Sequence, residues 1–416
     1  MPRVPWKFAA ALMMALAILA ARGPLPVLAA GPAAARVDAA QASQLAAEEA
    51  PVAPNVMKAN VWAGIYGNYF NGPFTSVKIC QSGTTNCERI SGILIDTGSF
   101  GLRIFGQANH LRLATETAPN GDRIAECVPF GTLSTWGRVA YADVKLGGEP
   151  KIAKLPIQMI NPNWPPMPAA CKGGPPVAQS AAQVGFNGIL GVGAFGADCG
   201  GVCAALGPQN PSMYFQCSAA GCKVTPVADS EQVQNPVPRL PGDNDGVVLK
   251  MPAIPFLGAT WVSGKLVLGI NTRGNNKLGG ALVYKTDGAG NIATTYNNAT
   301  MDGFIDSGSN ALFFDDRSIP RCDPARAPGF YCPSSPSVLH AINSGGLGSA
   351  SAIVTFNVAD AISLADTGNK AFYDIGGTFG GSFFDFGLPF FFGRNVYTGI
   401  DGQLTPGAGA GPFFAY

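Results

Sequence analysis

The chain has 416 residues, with 27 Lys and Arg against 26 Asp and Glu, and only 13% of it is charged, about half the usual ~25%. A net charge of +1 leaves no basic excess to neutralise phosphates, so nucleic acid is not an expected partner. The 54 Gly and 34 Pro exclude a helix bundle or coiled coil, and 47% hydrophobic residues with 25 Phe exclude a disordered chain.

The N-terminus reads as a secretory signal. Arg3 and Lys7 precede an unbroken apolar run from Phe8 to Ala21, and Val27-Leu28-Ala29 has the small-residue form of a cleavage site. Residues 1–30 are expected to be a signal peptide. Arg22 interrupts the apolar stretch, which keeps a retained N-terminal anchor as the alternative. No later run is long and apolar enough to span a bilayer, so no membrane is expected for the mature form. Residues 31–55 are rich in Ala, Pro and Gln and read as a linker or short pro-segment.

From residue 56 onward, apolar stretches are short and flanked by Gly, Pro or Asn, as in Gly264–Ile270 and Ser351–Phe356. This predicts an all-β protein with few short helices. Ten cysteines occur, at Cys80, Cys87, Cys127, Cys171, Cys199, Cys203, Cys217, Cys222, Cys322 and Cys332. An even number behind a signal peptide predicts disulfides. Cys80 with Cys87 and Cys322 with Cys332 would each staple a hairpin or loop. The cluster from Cys199 to Cys222 has two readings, two disulfides or a zinc knuckle, and the oxidising compartment favours the first.

One pattern occurs twice. Ile93-Leu-Ile-Asp96-Thr97-Gly98-Ser99 precedes the apolar stretch Phe100–Phe105, and Phe304-Ile-Asp306-Ser307-Gly308-Ser309 precedes Asn310–Phe314. Each copy has a later apolar segment ending in Gly, Phe186–Gly191 for the first and Phe384–Gly387 for the second. The repeated order predicts two related lobes, each supplying one Asp. A Gly after the Asp lets the chain turn back on the carboxylate, and the hydroxyls add donors. If the loops meet across a pseudo-twofold axis, the two carboxyls cannot both ionise cheaply and share one proton. The ionised member can then take a proton from water and the protonated one can donate to a carbonyl oxygen. A lone copy would read as a capped turn; two copies in matched context read as a dyad.

These residues resemble the pepsin-like aspartic proteases. The resemblance implies a bilobed fold with pseudo-twofold symmetry, Asp96 and Asp306 as the catalytic pair, Thr97 and Ser307 as the cross-braces, and Ser99 and Ser309 as hydroxyls on the outer carboxylate oxygens. Phe186–Gly193 and Phe386–Thr398 resemble the family's paired apolar-Gly segments. Phe130-Gly131-Thr132-Leu133 resembles the tip of its flap, in a hairpin ending at Lys145–Gly148. The chain also resembles a branch of secreted proteobacterial proteins with this motif pair. It departs from the family in four places: Phe130 stands where Tyr is usual, Leu133 at the flexible flap Gly, Arg103 at a Trp position, and Phe100 at a second Ser. The dyad is kept; the walls and lid are altered.

The expected organisation is therefore a first lobe over 56–272, with the Asp96 loop and flap, and a second over 273–416, with the Asp306 loop. The expected activity is that of a secreted or periplasmic aspartic endopeptidase, acting as a monomer on an extended peptide or protein, without metal or cofactor. The alternative is a pepsin-fold binding or envelope module with little hydrolysis. His110 and His340 are the only histidines, and no Gly-x-Ser-x-Gly elbow precedes either, which argues against a serine triad or a His-based metal site. The aromatic runs Phe383-Phe384 and Phe390–Phe392 read as core. Asp315-Asp316 reads as a solvated turn in preference to a calcium site, and Asn298-Ala-Thr300 as a turn.

Overall fold

The computed structural model describes residues 53–164, 167–346, 348–378 and 380–416. The expected signal peptide and nearly all of the 31–55 segment lie outside these residues. Among the described residues the architecture is almost wholly β, with three short α-helices at Ala169–Lys172, Ala181–Val184 and Ala361–Asp366.

Two sheets carry the lobes. The second lobe carries a seven-stranded sheet over residues 292–386. The larger sheet begins in the first lobe and continues into the second lobe's last strands. Val56–Val61 pairs with Val262–Leu268, which pairs with Gly246–Lys250, and that with Asn395–Gly399 and then Phe413–Ala415. The last residues of the chain therefore lie in one sheet with the first described strand.

The repeat in sequence is a repeat in topology. The strand Cys87–Asp96 runs parallel to Gly188–Val192, which runs antiparallel to Phe100–Phe105, itself parallel to Ile152–Ile160. In the second lobe Ala299–Ile305 runs parallel to Phe383–Phe386, which runs antiparallel to Leu312–Phe313, itself parallel to Gly376–Gly377. Asp96 thus ends, and Asp306 directly follows, a strand flanked by the strand from its own Gly-ending segment. Close packing explains those Gly residues. A Cβ on Gly191 would stand 2.7 Å from the Phe100 backbone, and one on Gly387 would stand 2.1 Å from the Ala311 carbonyl oxygen.

The core follows the sequence pattern. Phe384, Phe386, Phe390 and Phe391 are buried, and Phe384 stacks on both Phe314 and Phe386. At Asn297-Asn298 both residues are left-handed, with φ of 48° and 61°, the signature of a two-residue type I′ hairpin turn. The expected solvated turn at Asp315-Asp316 holds for Asp315 alone. Asp316 is buried, because its carboxylate accepts from Tyr296 Oη at 2.6 Å, Asn297 Nδ2 at 3.1 Å and the Ser318 N–H at 2.7 Å.

All ten cysteines pair: Cys80–Cys87, Cys127–Cys171, Cys199–Cys203, Cys217–Cys222 and Cys322–Cys332. The cluster is thus two local disulfides. No described helix is long and apolar enough to cross a membrane.

Candidate active site

Asp96 and Asp306 leave their strands at the junction of the lobes, 1% and 3% exposed, with their carboxyls hydrogen-bonded to each other. The two loops hold them alike. Asp96 Oδ1 accepts the Gly98 N–H at 2.8 Å, and Asp306 Oδ1 accepts the Gly308 N–H at 2.7 Å. Ser99 Oγ donates to Asp96 Oδ2, and Ser309 Oγ donates to Asp306 Oδ2 at 3.1 Å. Gly98 is dictated by proximity: a Cβ there would lie 2.4 Å from Asp306 Cγ.

Thr97 and Ser307 tie the loops together from beneath. The Thr97 N–H donates to Ser307 Oγ at 3.1 Å, and the Ser307 N–H donates to Thr97 Oγ1 at 2.9 Å. Each hydroxyl then donates onward to the other lobe, Thr97 to the Ile305 carbonyl at 3.0 Å and Ser307 to the Ile95 carbonyl at 2.9 Å.

Burial raises both Asp carboxyls above their ordinary value, and Asp306 is raised further by the charge of Asp96. On Asp96 that rise is opposed by its hydrogen bonds and by the Arg103 cation. Such a pair retains one proton and presents both a base and an acid to anything placed over it.

Beside the dyad opens a cavity of about 660 Å³. Gly98 and Ser99 line it from the Asp96 loop; Phe100, Phe130, Phe195 and Met213 give apolar wall, and Asp401 and Gln403 bring in the second lobe. Phe100 packs edge-on against Phe195. Arg103 forms part of the wall beneath the surface, 1% exposed, donating to the Phe100 carbonyl at 2.6 Å, Glu126 Oε1 at 3.0 Å and Asp198 Oδ1 at 2.6 Å. Tyr214 Oη closes the cluster on Asp198 Oδ2 at 2.8 Å. Burial, with Asp198 nearby, pushes Glu126 well up despite Arg103.

The hairpin tip is Phe130 paired with Leu133 across the Gly131-Thr132 turn. Phe130 and Leu133 are both buried in one apolar cluster, and the Phe130 ring lies 5.3 Å from the Arg103 guanidinium. The hairpin is anchored on its outer side. The Ser134 N–H donates to the Pro176 carbonyl and the Ala178 N–H to the Ser134 carbonyl, each at 2.8 Å, and Cys127–Cys171 links the same two segments.

A family model described as "Protein of unknown function (DUF3443)" matches residues 51–416. The chain belongs to that family. No curated protein sequence matches this DUF3443 member. Among solved structures it is similar to an aspartic proteinase from Irpex lacteus, at 14% identity and a TM-score of 0.45, over 86% of this chain and 96% of that one.

Sequence reasoning singled out the dyad, its loops and the hairpin, but missed three features of this DUF3443 chain. One is the set of partners around Arg103. Another is Tyr69, whose buried hydroxyl is raised by burial and by the charges of Asp96 and Asp306. The third is Asp385, a fully buried carboxyl whose field reaches both dyad members. Its position two residues before Gly387 in an otherwise apolar strand was the available signal.

Proposed function

We propose that this protein is a secreted or periplasmic aspartic-type endopeptidase that hydrolyses peptide bonds in an extended substrate, with residues 56–272 as its first lobe and 273–416 as its second. The observation that carries the reading is the hydrogen-bonded contact of the Asp96 and Asp306 carboxyls, beside a cavity whose wall includes Gly98 and Ser99 of the Asp96 loop. Asp96, whose ionised form the Arg103 cation favours, is the ionised partner and takes a proton from a water. Asp306 keeps the shared proton and donates it to the peptide carbonyl oxygen as the water adds. Collapse of the tetrahedral intermediate breaks the C–N bond: the amine takes the proton that Asp96 drew from water, and a hydroxyl of the intermediate returns a proton to Asp306. Five disulfides support the extracytoplasmic placement.

The test is incubation of the mature protein and its Asp96→Asn variant with a mixed peptide library from acid to neutral pH. Asp96-dependent cleavage is expected; its absence at every pH overturns the reading. The second reading, a binding or envelope module with little hydrolysis, is favoured by the anchored hairpin, because a lid sewn down on its outer side opposes the opening that admits a long peptide. It gains if library peptides bind without being cut.

A further inference from the structure

The two lobes differ at one matched position. Two residues before Asp96, Leu94 is in register with Ile189; two before Asp306, Phe304 is in register with Asp385. On the other side, seven residues after each Asp, Arg103 is in register with Ile189 and Phe313 with Asp385. Ile189 and Asp385 are therefore pseudo-twofold mates, as are Arg103 and Phe313. Where the first lobe places Ile, the second places a carboxyl that is 0% exposed.

Its surroundings give that carboxyl almost nothing. Neighbours in register are Phe304 and Phe313. The polar side chain it meets is the Ser309 hydroxyl, and the charged groups acting on it are Asp306 and Asp96. The Ser309 hydroxyl donates to Asp306 Oδ2 at 3.1 Å. Among the described residues, neither Asp385 oxygen has a hydrogen-bond partner. An ionised carboxylate so placed would be desolvated and beside a like charge, both of which favour the neutral acid and outweigh the Ser309 hydroxyl. A neutral acid has an O–H to donate, and the Ser309 oxygen has a lone pair to receive it.

Resting on the dyad reading above, we propose that Asp385 is a third member of the carboxyl assembly, a positioning residue that acts on Asp306 through the Ser309 hydroxyl and holds a second proton beside the dyad. Three carboxyls in one dry compartment titrate as a unit. When the unit loses its second proton, Asp385 competes with the dyad for the remaining one. An ionised Asp385 withdraws the Ser309 donor from Asp306 and adds a like charge, and both effects hold the proton on Asp306. The dyad thus keeps its shared proton to higher pH than two carboxyls alone would.

The experiment compares the full mature protein with Asp385→Asn and Asp385→Leu in two readouts. The first is the pH profile of peptide cleavage. Its alkaline midpoint is expected to fall by about one pH unit in both variants, the scale of strongly coupled sites. A merely structural role would lower thermal stability and leave the midpoint in place; an unmoved midpoint in folded Asp385→Asn overturns the proposal. The second is infrared difference spectroscopy at neutral pH, which needs no activity. Wild type minus Asp385→Asn is expected to show loss of one protonated-carboxyl band, and no such loss overturns the proposal. If the wild type cleaves nothing, the peptidase reading fails, and the infrared result alone decides the protonation of Asp385.

Discussion

Thr97 and Ser307 exchange identical bonds across the lobe interface, each N–H held by the other's hydroxyl. The clasp satisfies four buried backbone groups from two lobes with two side chains. Ser307→Ala removes one hydroxyl and strands the Thr97 N–H and the Ile95 carbonyl. Each buried group left unpaired costs about 1–3 kcal/mol. The expected result is a lower melting temperature together with a fall in kcat/KM, because the same bonds set the approach of the two carboxyls. Loss of stability with unchanged kcat/KM would show that the clasp does not align the dyad.

Gly98 tests the approach itself. Its absent Cβ leaves room for the Asp306 carboxyl, and Gly98→Ala pushes a methyl group against it. Overpacking of this kind typically costs about 1–3 kcal/mol, which a chain with five disulfides is expected to tolerate as a folded protein. Cleavage is expected to be abolished, since the added methyl forces the carboxyls apart. Circular dichroism and calorimetry separate that outcome from unfolding.

Stability should favour acid pH. Burial, with a contribution from Glu231, pushes Glu116 up to about 8, and burial pushes Asp374 up to about 6. A carboxyl raised on folding binds its proton more tightly in the native state. Its contribution is complete below the unfolded value and is lost as pH rises through the folded one. For Glu116 the window runs from 4.5 to about 8, and for Asp374 from 3.8 to about 6. The melting temperature is expected to decline across these windows, and Glu116→Gln is expected to flatten the upper part without changing the acid plateau. A Glu116→Gln curve parallel to wild type would refute the assignment.

The parts of this site that are contiguous in sequence were legible there. Asp-Thr-Gly-Ser is contiguous because one tight turn must deliver the carboxylate, the N–H and the hydroxyl together. The apolar-Gly partners were legible because close strand packing leaves no room for a Cβ at Gly191 or Gly387. Contacts made through space were not. Asp198 lies 95 residues from Arg103, and Cys171 lies 44 from Cys127, so no local pattern announces either pairing. Asp385 was hidden differently: its neighbours Phe384 and Phe386 read as core strand, and the strand is core, but the carboxyl shares its enclosure. Asp316 was misjudged because its donors include Tyr296, on a strand 20 residues earlier in the chain.

Arg103 should matter for both folding and pH response. It is the cation among Glu126, Asp198 and the Tyr214 hydroxyl, and it is wholly enclosed. Arg103→Met leaves Asp198 without its ion-pair partner, and breaking a buried pair from one side costs about 3–5 kcal/mol. Pairing it with Asp198→Asn removes the stranded charge and is expected to recover much of that loss. Arg103→Lys is not a conservative exchange here, because one ammonium cannot span the Phe100 carbonyl and two carboxyls as the planar guanidinium does. The dyad should register the change too. Arg103 favours the ionised form of Asp96, so without it Asp96 holds its proton to higher pH. The acid limb of the cleavage profile is then expected to move upward in Arg103→Met, while the alkaline limb, set at Asp306, moves less. An acid limb that stays in place would mean that Arg103 braces the cavity wall without tuning the carboxyl pair.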